Sequence, residues 1–407
     1  MDREKLLKDF PMLHQSMQGH PLIYFDSAAT SFKPWCVMDA VRKYDTEFTA
    51  NAHRGDYDIA HQVDTIYDEA RKVVAQFIHA DKREIVFTSG TSMSLNFIAH
   101  GYALKFLGKD DEILLTEAEH ASNVLPWFSV AKTTGCKIRY IPLTEEGRVT
   151  PENVEKSMNS HVKLVSIAHV TNVLGYVNDV EAIAKVVHQY GAVFSVDGAQ
   201  SVPHFPTDVK KWDIDFLSFS GHKMCGPTGI GVLWGKYELL QKMDPLLSGG
   251  GMNARFDLCG DVRLLEAPFK FEAGTQNIEG VIGLSAAIRY LTEIGMENIH
   301  QHELELKKYA VEKLQTLPNV ILYNATAESG ILTFNIQDVF AQDAATYFNS
   351  RGIAVRSGQH CAKILTNFLK TVATVRASFY FYNTKEEIDT FVEACRKAGD
   401  FLDAYFA

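Results

Sequence analysis

Ser195-Val196-Asp197-Gly198-Ala199-Gln200 and Leu217-Ser218-Phe219-Ser220-Gly221-His222-Lys223, whose lysine follows Asp197 by 26 residues, decide how this chain of 407 residues is read. In each, a run of strand-forming residues stops at small polar ones. Asp197 and Lys223 both stand directly after such a run. They place a carboxylate and an amine where the ligands of open α/β sheets bind, beyond the carboxyl ends of the strands.

The same texture recurs on both sides. Ile85-Val86-Phe87, Ile113-Leu114-Leu115, Leu164-Val165-Ser166-Ile167 and Val193-Phe194-Ser195-Val196 read as buried strands. Between them, Val180 to Tyr190 sets Val180, Ile183, Ala184 and Val187 at helical spacing. Strand and helix in alternation predict an α/β fold whose mostly parallel central sheet is covered by helices on both faces. After about Gly283 the pattern turns to long amphipathic helices, and Ile388, Phe391, Val392, Cys395, Leu402 and Tyr405 give the last one an apolar face. We expect a large domain over residues 21–283 and a smaller α+β domain built from 1–20 and 284–407. A chain this long, with 46% hydrophobic residues, exceeds what a single core holds.

Composition excludes several classes of partner. A net charge of -10 with no long basic run argues against nucleic acid or an anionic membrane and favours a small molecule. The longest stretch without Asp, Glu, Lys or Arg, Ile85 to Leu104, is broken by Thr88, Ser89, Gly90, Thr91, Ser92, Ser94, Asn96 and His100, so no membrane span is expected. Met1-Asp2-Arg3-Glu4-Lys5 lacks the order of a signal peptide, and a cytoplasmic protein is expected. Six cysteines are scattered without a Cys-x-x-Cys pair, which fits neither a disulfide scaffold nor a structural zinc site; no metal is expected.

The Asp197 and Lys223 pair fits pyridoxal phosphate, which needs an amine to hold its aldehyde and a buried carboxylate to keep its ring nitrogen protonated. Thr88 to Asn96 follows a strand and opens a helical run. Its free N–H groups, with the hydroxyl of Thr91 or Ser92, can cradle a phosphate, and an ordinary N-cap would read the same. His120 can stack on a ring and relay a proton, or serve as a hydrogen-bonded loop histidine. Asn172 and Gln200 can each bond a phenolic oxygen or simply make turns. Val355-Arg356-Ser357-Gly358-Gln359-His360-Cys361-Ala362 puts a thiol among basic neighbours, the setting of a nucleophile, although most cysteines are simply packed. Cys395 lies on an apolar face, Cys36 beside Trp35, and Cys225 is first read as packing under the lysine loop. Arg376 can grip a carboxylate bidentately or form a surface ion pair.

Taken together, Asn172, Asp197-x-x-Gln200, Ser220-x-His222-Lys223, Phe271-Glu272-Ala273-Gly274-Thr275 and Arg356 to Ala362 resemble the class V branch of fold-type I pyridoxal phosphate enzymes, and within it the group II, SUF-type cysteine desulfurases. The likeness runs in order from Tyr24-Phe25-Asp26-Ser27-Ala28-Ala29-Thr30 to Arg376. It implies that Lys223 is the Schiff-base lysine, Asp197 the pyridinium partner and His120 the stacking ring. Asn172 and Gln200 would contact the phenolic oxygen. Thr91, Ser220 and His222 would hold the phosphate, with Thr275 supplied by the second subunit of a homodimer. Cys361 would accept sulfur, and Arg376 and Asn172, with Arg356 and His360 beside them, would face the substrate. The implied reaction turns L-cysteine into L-alanine and passes sulfur to a protein acceptor of iron-sulfur cluster assembly. Selenocysteine lyase, acting on L-selenocysteine, and a non-catalytic scaffold on the same fold are the alternatives. Gln359-His360 stands where relatives usually carry His-His, and Gly249-Gly250-Gly251 predicts a mobile segment near the site entrance.

Overall fold

The computed structural model describes residues 1–52 and 55–400. Its centre is a seven-stranded sheet of β1 (Ile85–Thr88), β2 (Glu112–Thr116), β3 (Lys137–Ile141), β4 (Val162–Ala168), β5 (Val193–Asp197), β6 (Phe216–Ser220) and β7 (Gly231–Gly235), in the order β1-β7-β6-β5-β4-β2-β3. The pairs among β2 to β6 are parallel; β7 alone runs antiparallel, to both β6 and β1. The α/β architecture with a mostly parallel sheet is as expected. The four strands read from β-branched runs are present, and helix Val180–Gln189 lies where its periodicity puts it.

Three helices bury the flank of this sheet that carries the N-terminal segment: α1 (Trp35–Glu47), α2 (Asp58–Phe77) and α5 (Ile278–Ile294), with α3 (Thr91–Ile98) and α4 (Val180–Gln189) between α2 and α5 in the chain. The apolar positions of α5 run almost all round it. Val281, Leu284, Ala287, Ile288 and Leu291 share one core with Leu6, Phe10, Val63 and Phe194. A second core forms between α6 (Met296–Leu314), α7 (Lys385–Lys397) and an antiparallel sheet of β10 (Val320–Leu322), β11 (Ile331–Ile336), β12 (Arg356–Gly358) and β13 (Thr374–Ser378), ordered β10-β11-β13-β12. Phe25 belongs to it. We propose a two-domain division with its seam inside α6, because Leu284 to Ile299 pack with the large sheet and Leu306 to Leu314 with the small one. Of the apolar face expected on the last helix, Ile388, Phe391, Val392 and Cys395 are buried, while Leu402 and Tyr405 lie outside the described residues. After Gly249-Gly250-Gly251 the chain forms a hairpin, β8 (Asn253–Phe256) with β9 (Val262–Leu264), that exposes Phe256, Leu258 and Val262. Among the described residues, no helix is long and apolar enough to cross a membrane.

One buried ion pair fastens the segment leading to Thr275. Arg71 on α2 meets Glu272 in a fork, Nη1 to Oε1 and Nη2 to Oε2 both at 2.8 Å, and also donates to the Ile85 carbonyl at 2.6 Å. Both side chains are almost fully excluded from water. Removing one partner strands the other charge, so Arg71→Met is expected to lower stability by about 3–5 kcal/mol in denaturant unfolding. A loss below about 1 kcal/mol would show that the pair has no such role.

Candidate active site

A pocket opens beyond the carboxyl ends of β4, β5 and β6 and is closed from the other side by β12 and β13. Asp197 ends β5, and Lys223 stands three residues beyond Ser220, the last of β6. Asp197 Oδ1 accepts the Ala199 N–H at 2.9 Å, and its other oxygen has no partner among the described residues. Burial pushes its carboxyl up, against the Ala199 N–H and Lys223, which hold it down. Burial lowers the Lys223 amine to about 8, opposed by Asp197 and helped by Arg376 and Arg356. On the order of a tenth of Lys223 is then an unprotonated nucleophile and base at pH 7, far more than an ordinary lysine offers.

At the pocket floor, Ser220 Oγ accepts the Thr91 N–H at 2.8 Å and meets Thr91 Oγ1 at 2.7 Å, which fastens the start of α3 to the end of β6. Gly231 permits this approach: a Cβ there would lie 2.4 Å from Gly90 Cα. The first-turn N–H groups of Ser92 and Met93 leave the helix end, as at any helix start. Ser92 Oγ bonds Ser122 Oγ at 2.6 Å. His222 lines the same end, and its carbonyl accepts from Ser31 N at 2.9 Å and Thr30 Oγ1 at 3.0 Å.

His120 Nδ1 accepts the Ser122 N–H at 3.1 Å, so its proton sits on Nε2. Burial, then Lys223, lowers His120 to about 4. His222 is also lowered to about 4, and His360 to about 3, burial leading in both. His360 Nε2 lies 2.9 Å from Thr374 Oγ1 and 3.1 Å from the Thr374 carbonyl, and its Nδ1 is buried without a partner. Below the ordinary histidine value of 6.5 the unfolded chain binds protons that these folded histidines refuse. Stability should therefore fall as pH drops from 6.5 towards 4. Thermal unfolding across that window tests this, and an unchanged midpoint from pH 7 to 5 would contradict it.

Gln200 donates Nε2–H to the Ala28 carbonyl at 2.8 Å, and Asn172 donates Nδ2–H to the His360 carbonyl at 2.7 Å. Their side-chain oxygens are buried without partners, as are Arg376 Nε and His360 Nδ1. All four residues line the pocket. Buried orphans converging on one cavity call for a polar ligand there. Arg376 Nη1 donates to the Asn172 carbonyl at 2.8 Å and Nη2 to Asp26 Oδ1 at 3.2 Å. Arg356 faces Arg376 across β12 and β13, and its guanidinium has no ion-pair partner among the described residues. Two arginines and a lysine against one buried aspartate make the pocket a trap for carboxylate and phosphate.

Cys361 is exposed, and its loop is held by everything except the thiol. Its carbonyl accepts the Ala121 N–H at 2.7 Å, Ala362 N bonds the Gln359 carbonyl at 2.8 Å, and Ala362 is buried with Val173, Leu174 and Leu365. His360 and Cys361 both lie in the left-handed region, at φ 51 and 58. Two such residues in succession cost about 1–3 kcal/mol each, and the bonds around them hold the turn in place.

Every sequence candidate except Thr275 lines this pocket. Thr275 is exposed elsewhere and accepts from Asn51 Nδ2 at 3.2 Å. Cys225 is buried against Ser31, as its packing reading has it. Two residues escaped the sequence reading: Ser122, whose N–H sets the His120 tautomer, and Asp26, which orients Arg376. Asp26 was in a quoted motif, but nothing local signals a partner 350 residues away. The residues fit pyridoxal phosphate: a helix start with hydroxyls for the phosphate, a low amine for the aldehyde and a half-satisfied buried carboxylate for the ring nitrogen.

Residues 23–391 match the family described as Aminotransferase class-V. The chain belongs to that family. Among class V relatives, it is 45% identical, over the whole of both chains, to a protein of Halalkalibacterium halodurans described as a probable cysteine desulfurase. It is 44% identical to one so described from Staphylococcus aureus, over all of this chain and 98% of that one. Among solved structures, an apo cysteine desulfurase from Thermococcus onnurineus NA1 superposes with a TM-score of 0.92 at 40% identity, covering 97% of each chain. A cysteine desulfurase from Escherichia coli in an S-sulfonic acid form gives 0.91 at 37% identity, over 98% of this chain and 99% of the other.

Proposed function

We propose that this class V enzyme is a pyridoxal phosphate-dependent cysteine desulfurase that converts L-cysteine to L-alanine and takes the sulfur on Cys361 as a persulfide. The observation that carries this reading is one pocket lined by a carbonyl-reactive amine, a carboxylate grip and an exposed thiol: Lys223, Arg376 and Cys361. Relatives described as cysteine desulfurases over the full length support it. A chain that used only the coenzyme would have no reason to hold a thiol in a strained loop at its mouth.

When bound, pyridoxal phosphate would be held at its aldehyde by Lys223, at its ring nitrogen by Asp197 and at its phosphate by Thr91, Ser92, Ser220 and His222, and would supply an electron sink for the α-carbon. Asn172 and Gln200 each spend one amide N–H on a backbone carbonyl, and the second N–H of each would donate to the coenzyme's phenolic oxygen. Arg376, through the unspent Nε edge, and Arg356 hold the substrate carboxylate. Lys223 would take the α-proton, and its depressed basicity suits a group that must both accept and return protons near neutrality. His120, neutral with its proton on Nε2, would stack on the ring without adding a charge. The Cys361 thiolate then attacks the substrate sulfur. The S–S bond forms as the C–S bond breaks, its electron pair passes to the substrate carbon, and a proton there completes alanine. One cysteine and one thiol give one alanine and one persulfide, so no external oxidant or reductant is required.

Further along, we propose a homodimer whose partner subunit supplies Thr275, and a protein acceptor of an iron-sulfur assembly system that relieves Cys361 of its sulfur, as in SUF-type enzymes. The exposed thiol supports the second idea, since a persulfide must be reached by another protein's nucleophile.

A single turnover with L-cysteine and no reductant tests the central reading. Alanine together with an extra sulfur on the Cys361 peptide by mass spectrometry is expected. Alanine with no persulfide on that peptide would move sulfur acceptance elsewhere, and no alanine from coenzyme-loaded protein would reject the substrate.

A further inference from the structure

Four successive backbone carbonyls in the loop that carries Asn172 each accept from a different side chain of the small domain. Arg376 Nη1 takes the Asn172 carbonyl at 2.8 Å, Thr333 Oγ1 takes Val173, Asn324 Nδ2 takes Leu174 at 2.7 Å, and Ser329 Oγ takes Gly175 at 2.7 Å. All four donors are buried. Such a run is not secondary structure, because the loop carbonyls meet side chains from β11, β13 and the turn before β11 rather than a strand. Gly175 sits at φ 66, and a Cβ there would come within 2.3 Å of Ser329 Oγ, so the fit leaves no room for a side chain.

The donors are themselves fixed. Thr333 and Arg376 are direct partners in the β11–β13 register. Asn324 Oδ1 accepts the Thr333 N–H at 2.8 Å, its Nδ2 also reaches the Ile331 carbonyl at 2.8 Å, and its own carbonyl accepts from the buried Lys307 at 3.0 Å. The ladder therefore joins the loop of Asn172 to the strand of Arg376 through one continuous set of bonds.

We propose that Thr333, Asn324 and Ser329 are positioning residues for substrate, which set the separation of Asn172 and Arg376 and so shape the site that receives the carboxylate. This rests on the assignment of Arg376 as the carboxylate grip. The guanidinium is held by the Asn172 carbonyl on one arm and Asp26 on the other, which leaves Nε free. If the Val173 carbonyl lets go, the Asn172 carbonyl moves with it and the guanidinium turns. Substrate binding then weakens, whereas Lys223 and Asp197, carried by the large sheet, keep their places.

Steady-state kinetics of the coenzyme-loaded enzyme with L-cysteine test this. Thr333→Val should raise KM about tenfold with kcat changed less than about twofold, because a buried carbonyl loses its donor while the chemistry is spared. Thr333→Ser, which keeps the hydroxyl, should restore KM to within about twofold of wild type. Ser329→Ala, at the far end of the ladder, should raise KM about threefold and carries the test if Thr333→Val does not fold. An unchanged KM in a folded ladder variant, a fall in kcat alone, or failure of serine to rescue overturns the proposal. Arg376→Lys runs in parallel: an unchanged KM there overturns the carboxylate grip and this inference with it. A raised KM in Arg376→Lys beside an unchanged one in the ladder variants overturns only the positioning role.

Discussion

Lys223→Ala is expected to slow alanine formation from L-cysteine about a thousandfold or more, the larger part of what a positioned base contributes. Borohydride should then no longer fix the coenzyme covalently to the chain. The structure gives the reason. Lys223 is the amine that burial brings down to about 8, and Asp197 is the anionic group that most opposes the fall. Lys270, also lowered to about 8, spends its amine on the Gln241 and Met243 carbonyls and cannot substitute. The same value sets a pH dependence for the coenzyme-free protein: capture of added pyridoxal phosphate should quicken as pH rises through about 8, because only the neutral amine attacks an aldehyde. A capture rate flat from pH 7 to 9, or a reducible covalent link surviving in Lys223→Ala, would remove Lys223 from this role.

Cys361→Ser should separate two functions of the pocket. The thiol is exposed, while the coenzyme residues are fastened by other bonds, so the variant should bind pyridoxal phosphate and change absorbance on adding L-cysteine. Sulfur delivery should fall on the order of a thousandfold or more, since a serine hydroxyl is scarcely ionised and oxygen does not take up sulfur as a thiolate does. The measurement is persulfide per subunit in one turnover, with alanine counted beside it. Wild-type delivery by the serine variant would sink the assignment. If that variant still turned over L-selenocysteine at the wild-type rate while failing on L-cysteine, the lyase reading would replace the desulfurase one.

Much of this site was legible in the sequence because the sheet puts chemistry at predictable places. β2, β5 and β6 each end in a polar residue and β4 runs straight into His169, all at the same edge, so His120, Asn172, Asp197, Ser220 and Lys223 could be read as neighbours from strand ends alone. Cys361 and Arg376 come from the other domain; their residue types marked them as candidates, but only the family resemblance joined them to the strand-end residues in one site. What stayed hidden depends on contacts between distant segments. Asp26 reaches Arg376 through a single bridge beside Ser378, and Thr333 meets Val173 across 160 residues. Neither residue type is unusual in its local setting. The antiparallel direction of β7 was also hidden, since Gly231-Val232-Leu233-Trp234 reads as one more buried strand whichever way it runs. α5 was read as the start of a separate amphipathic region, yet tertiary packing covers nearly its whole surface because it lies between α1 and α2 and the rest of the core.

The reversed strand has a consequence for how the protein is made. β1 and β7 are the first and last strands of the large sheet, and they pair Ile85 with Trp234 and Thr88 with Gly231. The turn that begins α3 leaves one end of that pairing, and the loop holding Lys223 enters β7 beside it. Nearly the whole large domain must be synthesised before these strands can meet, and closing so long a loop carries an entropic cost that only the finished sheet offsets. The phosphate cradle and the lysine are thus brought together by a pairing of strands more than 140 residues apart. A newly made polypeptide gains its reactive amine in the right surroundings only when the sheet is complete, so unfinished chains are poor competitors for a scarce aldehyde coenzyme.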